Sequence, residues 1–161
     1  RGLGDVYKRQ ISVGAYHVLE LDTDGTKQAE HFINAVGEDL SGRLIPAVEV
    51  RLRGLYRLLP PDYYEAADNL ADFCDRIEKQ YGVRPVIYCT ERTYKNIVAS
   101  DSRFNKDKIW YESLFSKPDE DMDWTFWTYT NRVKFSFYES GEYLHMAVFN
   151  GSEVDFKKLI I

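Results

Sequence analysis

The sequence predicts an α/β fold, a parallel sheet or barrel finished by an irregular C-terminal part. Three observations predict it. Short apolar strands alternate with amphipathic helices as far as Ala99. The stretches 44–50 and 84–89 are largely apolar runs, as expected of parallel strands covered on both faces. The chain then closes on a hairpin signal. Alternation first and hairpins last is the order of a βαβ sheet with an appended antiparallel edge.

The elements follow in order. Val13 to Leu19 reads as a strand, with Gly14 and Ala15 small enough for close packing. Asp22, Thr23, Asp24 and Gly25 form a turn rich in N-cap residues. Thr26 to Val36 is a helix with Ala29, Phe32, Ile33 and Val36 on one face. Leu44 to Val50 is the next strand. Pro60, Pro61 and Asp62 open the longest helix, which carries Ala66, Leu70, Phe73, Ile77 and Tyr81 on one side and stops at Gly82. Arg84 to Cys89 is a strand and Arg92 to Ala99 a helix. Ile109 to Tyr111 and Thr125 to Tyr129 are short aromatic strands, separated by the acidic loop Lys117 to Asp123. Lys134 to Tyr138 and Tyr143 to Phe149 flank the turn Glu139-Ser140-Gly141-Glu142, and a short helix is expected over Val154 to Leu159.

A chain of 161 residues fits one domain. It can bury roughly 70% of its unfolded surface and needs no disulfide staples. Cys74 and Cys89 form no CxxC or zinc pattern and are expected as buried free thiols. Net charge −5 without a basic stripe excludes nucleic acid as the expected partner. No apolar run has the length of a membrane span. No HExxH or HxH spacing is present, so neither metal nor other cofactor is expected, and a monomer is. Aromatic residues make up 15% of the chain, a surplus that can fill a core or line a groove for flat ligands such as sugars.

Residues 1–10, RGLGDVYKRQ, have neither the apolar segment nor the cleavage site of a signal peptide. They resemble the translation of a transposon adapter used in shotgun sequencing. The expectation is a non-native segment over 1–10 and one domain over 11–161 that lacks its first strand. A barrel missing a strand leaves an unpaired edge.

In an α/β barrel the site lies at the C-terminal ends of the strands. His17, Glu20, Glu49, Arg51, Tyr88, Glu91, Trp110, Glu112, Trp127, Tyr129 and His145 fall there. Residues i and i+2 share a strand face, so Glu49 points with Arg51, and Trp127 with Tyr129. A rim of Trp, Tyr and carboxylates resembles a carbohydrate groove.

The segments GAYH (14–17), QAEHF (28–32), IPAVEV (45–50), RPVIY (84–88), IWY (109–111), WTFWTYT (124–130) and VFNGS (148–152) together resemble glycoside hydrolase family 25, the Chalaropsis-type lysozymes or muramidases. They occur in the family's order over nearly all of 13–156. The resemblance implies an irregular, TIM-like (β/α) barrel, here incomplete at its N-terminus. It implies action on the β-1,4 bond from N-acetylmuramic acid to N-acetylglucosamine in peptidoglycan, and an extracellular or cell-wall-associated protein. By the same resemblance Tyr16, His17, Tyr88, Trp110, Glu112, Trp127 and Tyr129 occupy positions that line or support the substrate groove.

The resemblance also marks departures. The family's Asp-x-Glu, whose Glu is the general acid, reads Glu49-Val50-Arg51 here. Arginine stays protonated and cannot act as that acid. The Asp-x-Asn of the last strand reads His145-Met146-Ala147. Glu49 is the remaining candidate acid, although its expected role is to pair with Arg51. Glycoside hydrolysis needs two carboxyl groups across the scissile bond. The first expectation is therefore a catalytically degenerate, peptidoglycan-binding domain. The alternatives are an active muramidase with relocated carboxylates among Glu49, Glu20 and Glu112, together with an Asp of the missing first strand, and a non-catalytic protein-interaction scaffold.

Overall fold

The computed structural model describes residues 12–134 and 143–161. The expected adapter segment 1–10 and the hairpin turn Glu139 to Glu142 lie outside the described residues.

Six strands form one sheet in sequence order: β1 (Tyr16–Val18), β2 (Ala47–Val50), β3 (Val86–Thr90), β4 (Ile109–Glu112), β5 (Phe126–Val133) and β6 (Leu144–Phe149). The first five are parallel and β6 returns antiparallel to β5. The sheet curls into a half-barrel, the incomplete irregular barrel that the sequence predicts. Among the described residues β1 and β6 are its two edges.

Helices α1 (Gly25–Val36) and α2 (Tyr63–Tyr81) cover the convex face. Asp24 caps α1 by accepting from Lys27 N, and Asp62 caps α2 by accepting from Tyr64 N and Glu65 N. Gly82 ends α2 in the left-handed conformation. The two helices touch at Gly25, where an added Cβ would collide with the Asn69 carbonyl group. The turn residue of the sequence reading is thus also the close-approach point of the helix pair.

The core lies between these helices and the convex face. Phe32 and Ile33 of α1, with Leu70, Phe73, Cys74 and Ile77 of α2, pack on Val48, Val50, Ile87, Cys89 and Ile109. Both cysteines are free and buried. All four residues of β2 are buried, as its apolar run predicts, and Glu49 is among them.

Three elements differ from expectation. The chain runs alongside β2 from Val13, whose carbonyl accepts from Leu44 N, but regular pairing covers only Tyr16 to Val18. The helix expected over 92–99 is a single α-turn, α3 (Glu91–Thr93), continued by a π-turn over Tyr94–Val98. Its start is fixed by a Thr90–Thr93 capping box, and the buried Thr93 hydroxyl also donates to Val50 O. β5 runs on to Val133 and pairs with β6, with register shifts after Thr128 and Thr130; beyond Lys134 the strand expected over 134–138 lies outside the described residues. The last helix, α4, spans Glu153–Lys157 under a Ser152–Asp155 capping box. Beyond it Ile45 N donates to Leu159 O and Ile161 N to Arg43 O, so the chain end seals the lower end of the half-barrel.

Candidate functional site

The parallel register decides which side chains meet on the concave face. Val18, Glu49, Tyr88, Trp110, Phe126 and Phe149 stand side by side across the six strands. One step toward the strands' C-terminal ends, Thr90, Glu112, Thr128 and Ala147 form a second row. Parallel neighbours point to the same side, so both rows face the hollow of the half-barrel. Tyr88, Trp110, Phe126 and Phe149 make a continuous aromatic ladder, with successive ring centroids 4.9, 5.1 and 5.3 Å apart. Trp110 Nε1 donates to Thr128 Oγ1 at 2.8 Å, which fixes the indole in the ladder.

The hollow is an open cavity of about 670 Å³. Its lower part is apolar, lined by Ala15, Leu44, Ile45, Ala47, Val86 and Leu159. Its upper part is polar, with Glu49, Arg51, Arg53, Tyr88 and His145. A side recess of about 280 Å³ opens beyond Arg51 and Arg53 and includes Glu20.

A charged cluster closes the upper end. Arg51 leaves β2 two residues after Glu49, on the same side. Its Nε donates to Glu49 Oε1 at 2.7 Å and its Nη2 to Glu112 Oε2 at 2.6 Å. Nη2 also reaches the Tyr88 hydroxyl at 3.2 Å, and that hydroxyl donates in turn to Glu112 Oε2. Arg53 Nη2 adds a contact of 3.1 Å to Glu49 Oε1. Both carboxylates are 8% exposed and Arg51 is 24% exposed, so the pairs sit where water screens them poorly.

Burial alone would raise the pKa of Glu112. The Arg51 and Tyr88 hydrogen bonds and the Arg51 charge outweigh it, with a smaller contribution from His145, and hold the carboxyl below its ordinary value. Burial and the neighbouring Glu112 push the Tyr88 phenol well above its ordinary value. Burial works against the Arg51 charge, yet Glu112 holds the guanidinium more firmly protonated than a free arginine. One oxygen of each carboxylate is spent inside the cluster. Glu49 Oε2 and Glu112 Oε1 have no hydrogen-bond partner among the described residues.

The structure thus brings Glu49, Arg51, Tyr88, Trp110 and His145 to one hollow, with Tyr16 at its β1 edge and Glu112 joined to it through Arg51 and Tyr88. His17, Trp127 and Tyr129 stand elsewhere. His17 stacks on Phe73 with centroids 5.0 Å apart, and its Nε2 meets Gln28 Oε1 at 3.1 Å. A groove-facing His17, suggested by the resemblance, is corrected by this contact: the ring lies against α2 on the convex side. Trp127 packs on the same core, donates to Ser113 O, and has Tyr129 beside it at 5.8 Å. Glu91 pairs with Lys95 at the surface. Arg53, Phe126 and Thr128 were not singled out from the sequence. Extending the two-residue alternation from Glu49 through Arg51, and applying it from Phe126, finds all three.

The family profile described as Glycosyl hydrolases family 25 matches residues 3–136. A family 25 glycosyl hydrolase from Bacillus anthracis is similar at 30% identity and a TM-score of 0.84, over 98% of this chain and 73% of that one. A bacterial lysozyme from Streptomyces coelicolor shares the fold at 23% identity and a TM-score of 0.78, over 98% of this chain and 76% of that one. A family GH25 lysozyme from Aspergillus fumigatus does so at 19% identity and a TM-score of 0.74, over 98% and 77%. No curated protein sequence matches the chain.

Proposed function

Since the chain belongs to glycosyl hydrolase family 25, we propose that its hollow binds a peptidoglycan strand without cleaving it, at the cell wall or outside the cell. The observation that carries this reading is Arg51, which stands between Glu49 and Glu112 and is ion-paired with both.

Cleavage requires one carboxyl to hand a proton to the leaving oxygen and a second to act opposite it. Glu112 is held below its ordinary pKa by Arg51 and Tyr88, the wrong direction for a proton donor at neutral pH. Glu49 accepts from two guanidinium groups through one oxygen. Binding asks less of the same residues. The Tyr88, Trp110 and Phe126 rings offer apolar faces to the sugar ring, and the Glu49 oxygen left without a partner accepts from a hydroxyl or amide group. Arg53 and His145 supply further polar contacts at the mouth.

A second reading, an active muramidase using Glu49 and Glu112 as a relocated pair, draws on the fact that the two carboxylates are one guanidinium apart. The test is to incubate the chain with purified insoluble peptidoglycan, pellet it, and assay the supernatant for new reducing ends. The expected result is a chain that pellets with the glycan and releases no reducing ends. Reducing ends released by the chain and abolished by Glu49→Gln would replace the binding reading with the second one.

A further inference from the structure

Past Arg51 and Arg53 the hollow adjoins the side recess of about 280 Å³, and both arginines line both spaces. Three short segments build the recess. Leu19 and Leu21, 3% and 2% exposed, supply buried apolar lining. Glu20 stands between them in sequence with its side chain exposed, and Gly54, Leu55 and Tyr56 complete the walls.

This frame is held in place before any ligand arrives. Gln28 grips the Glu20 backbone twice, accepting from its N at 2.8 Å and donating to its O at 2.9 Å. Gly54 has φ +54°, the left-handed conformation that turns the chain after Arg53. The Tyr56 hydroxyl donates to Asp22 Oδ2 at 2.6 Å, which fixes that wall. Preformed walls lower the ordering cost of binding.

Two opposite charges stay available within the frame. The Glu20 carboxylate has no hydrogen-bond or ion-pair partner among the described residues. Arg53, 56% exposed, uses only Nη2, on Glu49 Oε1, and its Nε and Nη1 have no partner among the described residues. Glu20 and Arg53 line one small recess without pairing with each other. Arg51, the other cation there, is matched by Glu49 and Glu112. Acids gather on the Tyr56 side. The Asp22 hydrogen bond raises the Tyr56 phenol above its ordinary value, followed by burial and by the charges of Asp22, Glu65 and Glu20. Those acids disfavour a lone anion, and the free donors of Arg53 disfavour a lone cation. A group that carries both charges meets both demands.

We propose that the recess binds the zwitterionic amino-acid end of a peptide borne by the glycan, its ammonium on Glu20 and its carboxylate on Arg53. Charge-assisted hydrogen bonds form at the two ends, and the leucine lining meets the carbon atoms between them. The inference rests on the glycan reading of the hollow, because the strand is what brings a peptide to the adjoining recess.

The test is calorimetric titration of the chain with soluble peptidoglycan strands, prepared with an endopeptidase so that their peptides stay attached. Three treated forms accompany them: strands stripped of peptides by an amidase, strands with acetylated amines, and strands with amidated carboxyls. The untreated strands should bind about fivefold more tightly than the stripped ones, the scale of an exposed ion pair. Either chemical block should remove that gain. Glu20→Gln should bind stripped strands as the parent does and be indifferent to acetylation. Arg53→Gln should be indifferent to carboxyl amidation. Equal binding of untreated and stripped strands by the parent overturns the inference and leaves the glycan reading standing. A preference for untreated strands that Glu20→Gln retains, or that acetylation does not touch, overturns it as well. Loss of stripped-strand binding alone, with Glu20-dependent binding of untreated strands intact, removes the glycan reading of the hollow and keeps the recess. Binding of neither form removes both.

Discussion

The two faces of the sheet are built from alternate residues of the same strands, and they obey different rules. On the convex face Val48, Val50, Ile87, Cys89 and Ile109 meet α1 and α2 in an apolar layer, with the His17–Gln28 pair at its β1 side. On the concave face the same strands present Glu49, Tyr88, Trp110 and Glu112, with Arg51 between the two acids. The convex side gains stability by excluding water from hydrocarbon. The concave side buries charge, and its ion pairs roughly offset the cost of their own desolvation. Stability therefore resides on one face and the proposed recognition on the other. A change that is severe on the first should leave the chemistry of the second intact, and the reverse.

The largest effect is expected on the convex side. Phe73→Ala, which empties a fully buried position under His17 and Phe32, should cost about 3–5 kcal/mol in urea unfolding. Next comes the concave cluster. Arg51→Ala strands two buried carboxylates and should cost about 2–3 kcal/mol, less than a fully buried pair because Arg51 keeps some contact with water. Adding Glu49→Gln and Glu112→Gln to Arg51→Met should recover most of that loss. A triple variant as unstable as Arg51→Ala would show that the cluster contributes net stability. Tyr88→Phe, which removes one hydroxyl bonded to Glu112 and Arg51, should cost about 1 kcal/mol and raise the Glu112 pKa.

The smallest effect separates the faces by sign. Glu112 has a lowered pKa, so it stabilises the fold above its unfolded value and loses that contribution as pH falls through the folded value. Asp107, beside β4 and bonded to Arg84 at 2.6 Å, behaves oppositely. Its burial raises the pKa more than Arg84 lowers it, so Asp107 favours the fold most where it is protonated and less as pH rises through the folded value. Carboxyl carbon shifts followed by NMR should place the Glu112 midpoint below the ordinary glutamate value and the Asp107 midpoint above the ordinary aspartate value. Midpoints in the reverse order would mean that Arg51 does not hold Glu112 as described.

The faces were also unequally legible. The convex side follows from periodicity: the spacing of Ala66, Leu70, Phe73 and Ile77 gives α2, and all four are buried. The caps Asp62 and Gly82 mark its ends. Periodicity missed the π-turn at Tyr94–Val98, because a single residue inserted into a helical turn leaves a nearly helical pattern. It also cut β5 short, because the register shifts after Thr128 break the alternation. On the concave side, two-residue spacing correctly joined Glu49 to Arg51. It equally well joined Trp127 to Tyr129 but could not say which face they share. That phase depends on the neighbouring strand, where Trp127 stands beside Tyr111 on the convex side. His17 shows the same limit, since a motif match carries a residue's position in a strand but not its direction.

In the proposed function Arg51 fills the place of an acid and leaves a hollow that binds glycan without cutting it. The most direct measurement is reducing-end release from peptidoglycan by the chain beside its Arg51→Glu, His145→Asp variant, with pelleting measured on both. Both are expected to pellet with the glycan, the parent to release no reducing ends, and the variant, with carboxyl groups at both positions, to release them. Release by the parent at the rate of the variant would contradict it, since Arg51 would then be no obstacle to chemistry.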